Sequence, residues 1–250
     1  MSSENTEMIR HLADLCRRGE KIGQWQYSAF LTLAEQEDFE HSPEASRARY
    51  HFWGGREGAE RRILAAGDPE EMGKPEYPLS AIRVRPVSEK FAEDLEHRDY
   101  LGALMNLGIE RSLMGDLTIR GREAYFFCLD SIADYIASAL DRVRRTTVQA
   151  EIIPPETDAL QPEYREMRFT VASERLDAIV AGFAGISRSQ AAPLFSSSKV
   201  MVNGRVETDK SARLKTGDIL TVRGSGKALY IGMEYETRKG RLMVRLNRYI

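Results

Sequence analysis

The sequence has little of what several common chemistries require. It contains two cysteines, Cys16 and Cys128, which lie far apart and form no Cys-x-x-Cys pair. A disulfide framework and a cysteine zinc site are therefore not expected, and a reducing cytoplasm is the expected compartment. The four histidines are scattered without metal-ligand spacing, so we predict neither a metal nor a cofactor.

Signals of membrane insertion, secretion and nucleotide chemistry are missing too. No apolar run approaches the ~20 residues that span a bilayer, and residues 1–5 lack the basic-then-apolar pattern of a secretion signal. No Gly-x-Gly-x-x-Gly follows a predicted strand, and Gly224-Ser225-Gly226-Lys227 lacks the spacing of a phosphate-binding loop. These absences argue against a membrane protein, a methyltransferase and a P-loop enzyme.

What the sequence does have is a division of charge. The whole chain has a net charge of −2, but residues 168–250 hold 15 Lys+Arg and 7 Asp+Glu, a net of +8. The preceding residues hold the other 21 basic and 31 acidic residues, a net of −10. An acidic body with a basic C-terminal part is expected if that part alone meets a phosphate backbone.

Residues 1–76 are predicted to form an N-terminal helical region. Apolar residues recur at helical spacing over 4–20 and 25–39, which predicts two helices. Gly54 and Gly55 predict a turn that opens a third helix, ending near Gly67.

Residues 77–153 are predicted to form a compact α+β domain. Strands are predicted over 81–87, 115–119, 124–129 and 146–152, and helices over 89–107 and 131–143. This β-α-β-β-α-β order is that of a ferredoxin-like sandwich, the arrangement found in RNA-recognition motifs. Tyr125, Phe126 and Phe127 are predicted to be core residues rather than platforms on which bases stack.

A short, stiff, proline-marked linker is predicted over 154–167, followed by a C-terminal module over 168–250. Ser173 is predicted to cap the first helix of this module. Leu176, Ile179, Val180 and Phe183 would form the inward face of that helix. Asp177 is expected to anchor a nearby arginine or backbone amide.

The second helix of the module carries a candidate phosphate site. Ser187 and Gln190 form a Ser-x-x-Gln capping box, which predicts a helix that starts at Arg188. A helix N-terminus with an arginine and the two serines Ser187 and Ser189 can receive an RNA phosphate. The local sequence equally allows that Ser187 only caps the helix and that Arg188 is solvated. Pro193 falls inside the helix and removes one backbone hydrogen bond.

A hairpin and three further strands complete the module. Asn203-Gly204 predicts a tight turn, because both residues accept positive φ, and Lys199 and Arg205 flank it. Further strands are predicted over 219–223, 229–235 and 242–246. Because exposed aromatic residues are expected to be few, the module is predicted to recognise the backbone and shape of folded RNA rather than to stack its bases.

The order of these motifs resembles the S-four RNA-binding domain, named after the fourth small-subunit ribosomal protein, over about 168–226. Nearly the whole chain resembles the YlmH-like bacterial proteins, in which a helical region and an RNA-recognition-like domain precede an S-four domain. Outside the C-terminal part, the resemblance is carried by Phe52, Gly54-Gly55, Ala59-Glu60-Arg61, residues 99–111 and Gly115-Asp116-Leu117.

The resemblance implies a non-catalytic RNA-binding protein. It implies contact with ribosomal RNA and tRNA on the large ribosomal subunit that still carries a stalled peptidyl-tRNA, in ribosome-associated quality control. An association of the family with cell division is less specific. Off the ribosome, we expect a monomer.

Ten residues are predicted to contact RNA. Arg175 and Arg188 match positions whose side chains S-four domains commonly present to RNA. The other eight surround them in the motifs described above: Ser187, Ser189, Lys199, Asn203, Gly204, Arg205, Arg223 and Lys227. Many relatives carry a basic residue where Ala191-Ala192 stand here, so the predicted contact of this helix centres on its N-terminal tip.

Two other interpretations are open. S-four domains also accompany pseudouridine synthases, methyltransferases and tyrosyl-tRNA synthetases, so an RNA-modifying enzyme or its accessory is the first. Arg175-Leu176-Asp177 echoes the synthase motif, but only about 70 residues follow it, too few for that catalytic domain. The second is a protein-interaction factor built on the acidic middle domain and linked to cell division.

The division of charge generates a first test. The RNA affinity of a fragment comprising residues 168–250 should fall by about tenfold or more between low and moderate salt, because each Lys or Arg that neutralises a phosphate releases counterions. Filter-binding titrations at two ionic strengths measure the change. A flat response would favour the protein-interaction interpretation.

Overall fold

The computed structural model describes residues 3–250, which form a mixed α+β protein, as predicted. The described helices are α1 (Ser3–Ile22), α2 (Leu33–Glu40), α3 (Pro69–Met72), α4 (His97–Asn106), α5 (Asp130–Ala139), α6 (Leu176–Ala184) and α7 (Arg188–Ser196). None of these described helices is both long and apolar enough to cross a membrane.

The described strands belong to three antiparallel sheets. They are β1 (Gln26–Tyr27), β2 (Tyr50–Trp53), β3 (Ile63–Ala66), β4 (Leu79–Pro86), β5 (Met114–Arg120), β6 (Glu123–Leu129), β7 (Arg142–Val143), β8 (Thr146–Ile153), β9 (Tyr164–Val171), β10 (Val200–Val202), β11 (Arg205–Val206), β12 (Ile219–Val222), β13 (Gly226–Glu236) and β14 (Leu242–Tyr249). The chain divides into two compact units, the first ending at Gln161 and the second comprising Pro162–Ile250.

The predicted N-terminal helical region also contains a small sheet. The first predicted helix is present as α1, and its buried side chains Leu12 and Cys16 pack with Phe39 of α2 and Leu64 of β3. The sheet has the antiparallel order β1-β3-β2. Burial raises the pKa of the Cys16 thiol to about 11.

The helix predicted over 25–39 is wrong in its first half. The helix starts only where Thr32 and Glu35 form a capping box. The residues ahead of that box join β3 instead, and the amide of Ser28 donates to the carbonyl of Leu64 at 3.0 Å. Pairing with a strand distant in sequence outweighs the local helical spacing of the apolar residues.

The third predicted helix, ending near Gly67, is also wrong. Its last turn is β3, in which all four residues Ile63–Ala66 are fully buried. A short apolar run of this kind fits a buried strand as well as a helix, so periodicity does not decide between them. The glycine turn does exist: Gly55 has φ +90°, and a Cβ there would lie 2.4 Å from the Phe127 ring.

The middle domain has the predicted topology. Its strand order is β5-β6-β4-β8-β7, and the first four strands reproduce the ferredoxin-like arrangement. The two-residue strand β7 extends one edge. Helices α4 and α5 cover one face of the sheet, where they bury Ile82, Val84, Leu104, Phe126 and Ile136.

The helix predicted over 89–107 begins only at α4. The amide of Glu96 donates to the Asp99 carboxylate at 2.8 Å, which caps the helix there. Ahead of it Leu95 reaches the core from an extended segment, and Phe91 is 76% exposed instead of buried. The spacing of these two apolar residues is helical, but they do not lie on one helix.

The other face of this sheet is covered by residues of the N-terminal region and of the segment after β8. Tyr125 and Phe127 of β6 lie on that face and are 8% and 1% exposed. They pack with Phe30 and Ile63 from the N-terminal region and with Leu160 from the segment after β8. Both rings are therefore core residues, as predicted.

A buried ion pair ties this cover to the sheet. The carboxylate of Asp116, in β5, accepts a hydrogen bond from Arg56 Nη2 at 2.8 Å. It also accepts hydrogen bonds from the backbone amides of Glu60 and Arg61 at 2.8 and 3.0 Å. The Arg56 side chain is only 4% exposed, so the carboxylate balances a charge that has little contact with water.

Two further arginines bind backbone carbonyls beside this pair. Arg61 donates to the carbonyls of Met114 and Phe30 at 2.9 and 3.1 Å. Arg111 donates to those of Met114 and Gly115 at 2.8 and 3.0 Å. Burial, reinforced by the charge of Arg61, lowers the pKa of Arg111 to about 10. Arg61, Arg111 and Asp116 lie in the segments that carry the family resemblance, and their contacts hold the N-terminal region against the sheet.

The second unit is a six-stranded sheet with two helices on one face. The order is β11-β10-β12-β13-β14-β9, and α6 and α7 pack on the sheet in a single hydrophobic core. The predicted linker over 154–167 contains ordered parts of both units, because Leu160 is buried in the first and β9 begins at Tyr164. A fragment for the salt test should therefore begin at Pro162, so that β9 stays whole.

The Asp116 contacts generate a stability prediction. Replacing Asp116 with Ala leaves Arg56 buried without a counterion and should lower the free energy of unfolding of the first unit by about 3–5 kcal/mol. Denaturation followed by tryptophan fluorescence measures this unit, since Trp25 and Trp53 both belong to it.

The matched control for this prediction is Asp94→Ala. Asp94 pairs with Arg122 at 3.2 Å, but its side chain is 91% exposed, so its loss should change stability little. Equal effects of the two substitutions would contradict the structural role given to Asp116.

Candidate nucleic-acid interface

The start of α6 differs from the prediction. Its N-cap is Arg175 rather than Ser173, and no side chain caps it. Instead the amide of Asp177 donates to the carbonyl of Lys210 at 3.1 Å, so the loop between β11 and β12 caps the helix. This contact brings the basic residues of that loop to the N-terminus of α6.

The inward face of α6 follows the prediction. Its inward side chains are fully buried: Leu176, Ile179, Val180 and Phe183. Gly185 ends the helix with φ +67°. Gly182 lies inside the helix, where a Cβ would lie 2.2 Å from the Phe169 ring, so glycine allows α6 to approach β9 closely.

Two of the predicted RNA-binding arginines meet at one carboxylate. Arg175 Nε donates to Asp177 Oδ1 at 3.2 Å, and Arg188 Nη2 donates to Asp177 Oδ2 at 2.7 Å. The arginine side chains are 44% and 49% exposed, whereas that of Asp177 is 12% exposed. Asp177 therefore anchors arginines, as predicted, and leaves part of each guanidinium facing solvent.

The environment of Asp177 keeps it ionised. Burial alone would raise the pKa of this carboxyl, but the hydrogen bonds from Arg188 and Arg175, together with their charges, outweigh burial and lower it. A carboxylate with a lowered pKa has no proton to donate near neutral pH. It serves here to hold two cations near each other.

The tip of α7 has the predicted capping box. Gln190 N donates to Ser187 Oγ at 3.3 Å, and Ser187 N donates to Gln190 Oε1 at 2.9 Å. Ser187 Oγ also lies 2.9 Å from Ser189 Oγ. Ser187 is thus a capping residue, and Arg188 follows it as the first residue of the helix.

Two other predicted residues lie at the far end of α7. The amide of Arg223 donates to the carbonyl of Lys199 at 2.9 Å, so these two residues are neighbours. The nine residues of α7 separate them from Arg188 by about 13 Å along the helix axis. They form a second basic position rather than part of the Asp177 cluster.

The predicted hairpin turn is present, and its asparagine has a structural role. Asn203 and Gly204 have φ +50° and +80°, as a two-residue turn of this type requires. The Asn203 side chain donates to Asp218 at 2.9 Å and accepts the amide of Ile219 at 2.8 Å. It therefore fastens the hairpin to β12, while Arg205 lies on the exposed strand β11.

Lys227 lies on the other side of the sheet. Its neighbour Ala228 is fully buried under the helices, and alternation along β13 places Lys227 on the opposite face. There its Nζ lies 5.1 Å from the centre of the Tyr249 ring. Lys227 cannot join the Asp177 cluster.

Sequence analysis missed two features of the second unit. Arg213, in the loop that caps α6, pairs with Glu174 at 3.1 Å and adds a cation near the cluster. The second feature is the position of its exposed aromatic residues, which are few, as predicted: Tyr164, just ahead of the predicted module, is 36% exposed and Tyr235 is 56% exposed. No local pattern marks these positions, because their surroundings come from strands distant in sequence.

The middle domain does not present the surface by which RNA-recognition motifs stack bases. Those motifs use aromatic residues on the sheet face away from the helices. Here that face carries Tyr125 and Phe127, and the N-terminal region buries both. This face of the middle domain is therefore closed to base stacking.

Comparisons with known proteins agree with this architecture. The family model described as "Putative RNA-binding domain in YlmH" matches residues 74–157, and the S4 domain model, which is the S-four domain above, matches residues 174–220. The "Ribosome-associated protein quality control protein P2" of Bacillus subtilis (strain 168) is 32% identical over 204 residues, covering 79% of this chain and 77% of that protein.

A solved structure, "Cell division protein ylmH from Streptococcus pneumoniae", has a TM-score of 0.48 and 16% identity, covering 62% of this chain and 93% of that one. The two matched domains define an RNA-binding protein with a C-terminal S4 domain. More particularly, the chain belongs to the YlmH family.

The Asp177 cluster generates a prediction about pH. Because the pKa of Asp177 is lower in the folded state, its contribution to stability is complete above the unfolded value of about 4. That contribution is lost as the pH falls through the folded value. The difference in unfolding free energy between the wild type and Asp177→Asn should therefore shrink as the pH falls from about 6 to about 2.

Urea denaturation monitored by amide NMR signals of the second unit measures this difference. Subtracting the variant from the wild type removes the contributions of the other carboxylates. A difference that stays constant over the whole pH range would show that the two arginines do not stabilise the ionised Asp177.

Proposed function

We propose that this protein is a non-catalytic factor that binds structured RNA on the large ribosomal subunit carrying a stalled peptidyl-tRNA, in ribosome-associated quality control. Ribosomal RNA, tRNA or both would be the ligand. The observation that carries the proposal is the pair of half-exposed arginines, Arg175 and Arg188, held together by Asp177. The name of the Bacillus subtilis relative supports the ribosomal setting.

The arginine pair suits a phosphate backbone for a physical reason. A guanidinium has five donors in a fixed fork, and Arg188 Nη2 commits a donor to Asp177 while the side chain stays 49% exposed. Its remaining donors can bind phosphate oxygens without losing the carboxylate that orients them. The net charge of the C-terminal part adds a long-range attraction that salt would weaken.

The proposal of a non-catalytic role rests on the chemistry of the cluster. Its buried carboxylate, Asp177, has a lowered pKa and two arginine partners, which suits charge balance rather than proton transfer at neutral pH. Both matched domain families are described by RNA binding or by the S4 fold. Off the ribosome, the protein would be a cytoplasmic monomer.

Reversing the charge at Arg188 tests the proposal. Arg188→Glu places a carboxylate beside Asp177 and opposite the RNA phosphates, so co-sedimentation with large ribosomal subunits should be lost at physiological salt. Because the Arg188 side chain is half exposed and the largely buried Asp177 keeps its second partner, Arg175, the melting temperature should stay within a few degrees of the wild type.

The matched control is Arg10→Glu. It changes the net charge equally, but Arg10 is an exposed residue of α1 in the first unit, so binding should persist. Undiminished co-sedimentation of Arg188→Glu would overturn the proposed site. Equal loss in both variants would show that only the total charge matters.

A further inference from the structure

The sheet of the second unit has one face that the helices leave open. Residues that alternate with the buried ones lie on this face, which we call the open face. Its residues include Tyr164, Met201, Thr221, Lys227, Leu229, Ile231, Asn247 and Tyr249. On the opposite face Ala228, Val244 and Leu246 are fully buried against α6 and α7. The open face is therefore a surface of the same unit, directed away from the Asp177 cluster.

Two tyrosines and a lysine form an ordered group on the open face. Tyr164 of β9 is paired in register with Tyr249 of β14, and their ring centres lie 5.0 Å apart at an angle of 66°. Lys227 Nζ lies 5.1 Å from the centre of the Tyr249 ring. The two strands pair without interruption over eight residue pairs, so the rings stand on a rigid support. Tyr164 is 36% exposed and is the outer ring of the group.

The charges around this group favour an anionic partner. The acidic residues Glu166 and Glu234 of the open face pair with arginines: Arg168 lies 2.9 Å from Glu166, and Arg245 lies 3.3 Å from Glu234. Lys227 is the cation whose ammonium group lies over the Tyr249 ring. The whole second unit holds 16 Lys+Arg and 9 Asp+Glu, a net of +7. This net charge favours the approach of a polyanion to the unit.

We propose that this group is a second RNA contact, in which an unpaired base stacks on Tyr164 while Lys227 supplies positive charge for the adjacent phosphate. Aromatic rings beside cations on a sheet receive unpaired bases, because every base has a π-face whatever its sequence. This inference rests on the proposed function, since it takes the second unit to be the RNA-binding unit. It adds a ligand class, unpaired nucleotides, that the Asp177 cluster does not select.

The two contacts would lie on opposite faces of one sheet. The arginines at the α6–α7 side suit the backbone of a folded RNA, and the tyrosine group suits a loop or a flipped-out base. One small unit could thus hold two RNA segments at the same time, one on each side. This inference departs from the sequence prediction that the module recognises the backbone and shape of folded RNA rather than stacking its bases.

The full-length protein and two RNA probes test the inference. One probe is a hairpin with a single-stranded loop, and the other is a blunt-ended duplex with the sequence of the same stem. Tyr164→Ala should weaken binding to the hairpin by about tenfold, because stacking of one base is lost, and should leave the duplex within about twofold. Fluorescence anisotropy at one fixed salt concentration measures both affinities.

Two variants control this experiment. Tyr164→Phe keeps the ring and should bind both probes like the wild type, and an unchanged affinity of Tyr164→Ala for the duplex shows that the alanine variant is folded. Tyr235→Ala removes another exposed tyrosine, at the opposite end of β13 from Lys227, and should have no effect on either probe.

Arg188→Glu separates failure of this inference from failure of the proposed function. If it weakens both probes while Tyr164→Ala weakens neither, the tyrosine contact is wrong, the open face serves a protein partner or none, and the proposed function stands. If Tyr164→Ala weakens both probes equally, the ring does not read unpaired bases and the inference is overturned. If Arg188→Glu weakens neither probe, the proposed function itself fails.

Discussion

Two arginines on neighbouring helices repel each other unless an anion stands between them, and Asp177 is that anion. Its carboxylate accepts hydrogen bonds from Arg175 and Arg188 and is itself shielded from water. Without it, the two guanidinium groups would separate into solvent and would offer independent, mobile charges. The single carboxylate thus turns two charges that are 13 residues apart in sequence into one site of defined geometry.

A comparable arrangement organises the first unit, but with the opposite consequence. Asp116 balances the charge of Arg56 in a buried position. Its carboxylate also accepts hydrogen bonds from the backbone amides of Glu60 and Arg61, which hold the N-terminal region against the sheet. The same residue types that form an exposed cluster in the second unit here form a sealed contact. Burial decides the difference, because a guanidinium that has lost water needs all its partners from the protein. The face used for base stacking in related folds is thereby covered by protein.

The second unit divides its surface between two kinds of chemistry. The side with α6 and α7 carries arginines and helix termini, which suit phosphates. The open face carries Tyr164 and Tyr249 with Lys227, which suit the flat surface of a base. A two-layer unit has a solvent-facing sheet surface whenever its helices cover only one face of the sheet. We propose that this protein uses both.

The sequence by itself determined the features whose causes are local. The capping box at Ser187 and the turn at Asn203-Gly204 occur as predicted, because each depends on φ preferences and hydrogen bonds within a few residues. The alternation and order of the middle strands likewise sufficed for the ferredoxin-like topology. Only the tertiary structure decided that residues 63–66 form a strand, that the carbonyl of Lys210 rather than Ser173 caps α6, and which of the predicted RNA-binding residues share a face. Each of these depends on contacts between segments distant in sequence, and no pattern within a segment specifies its distant partner.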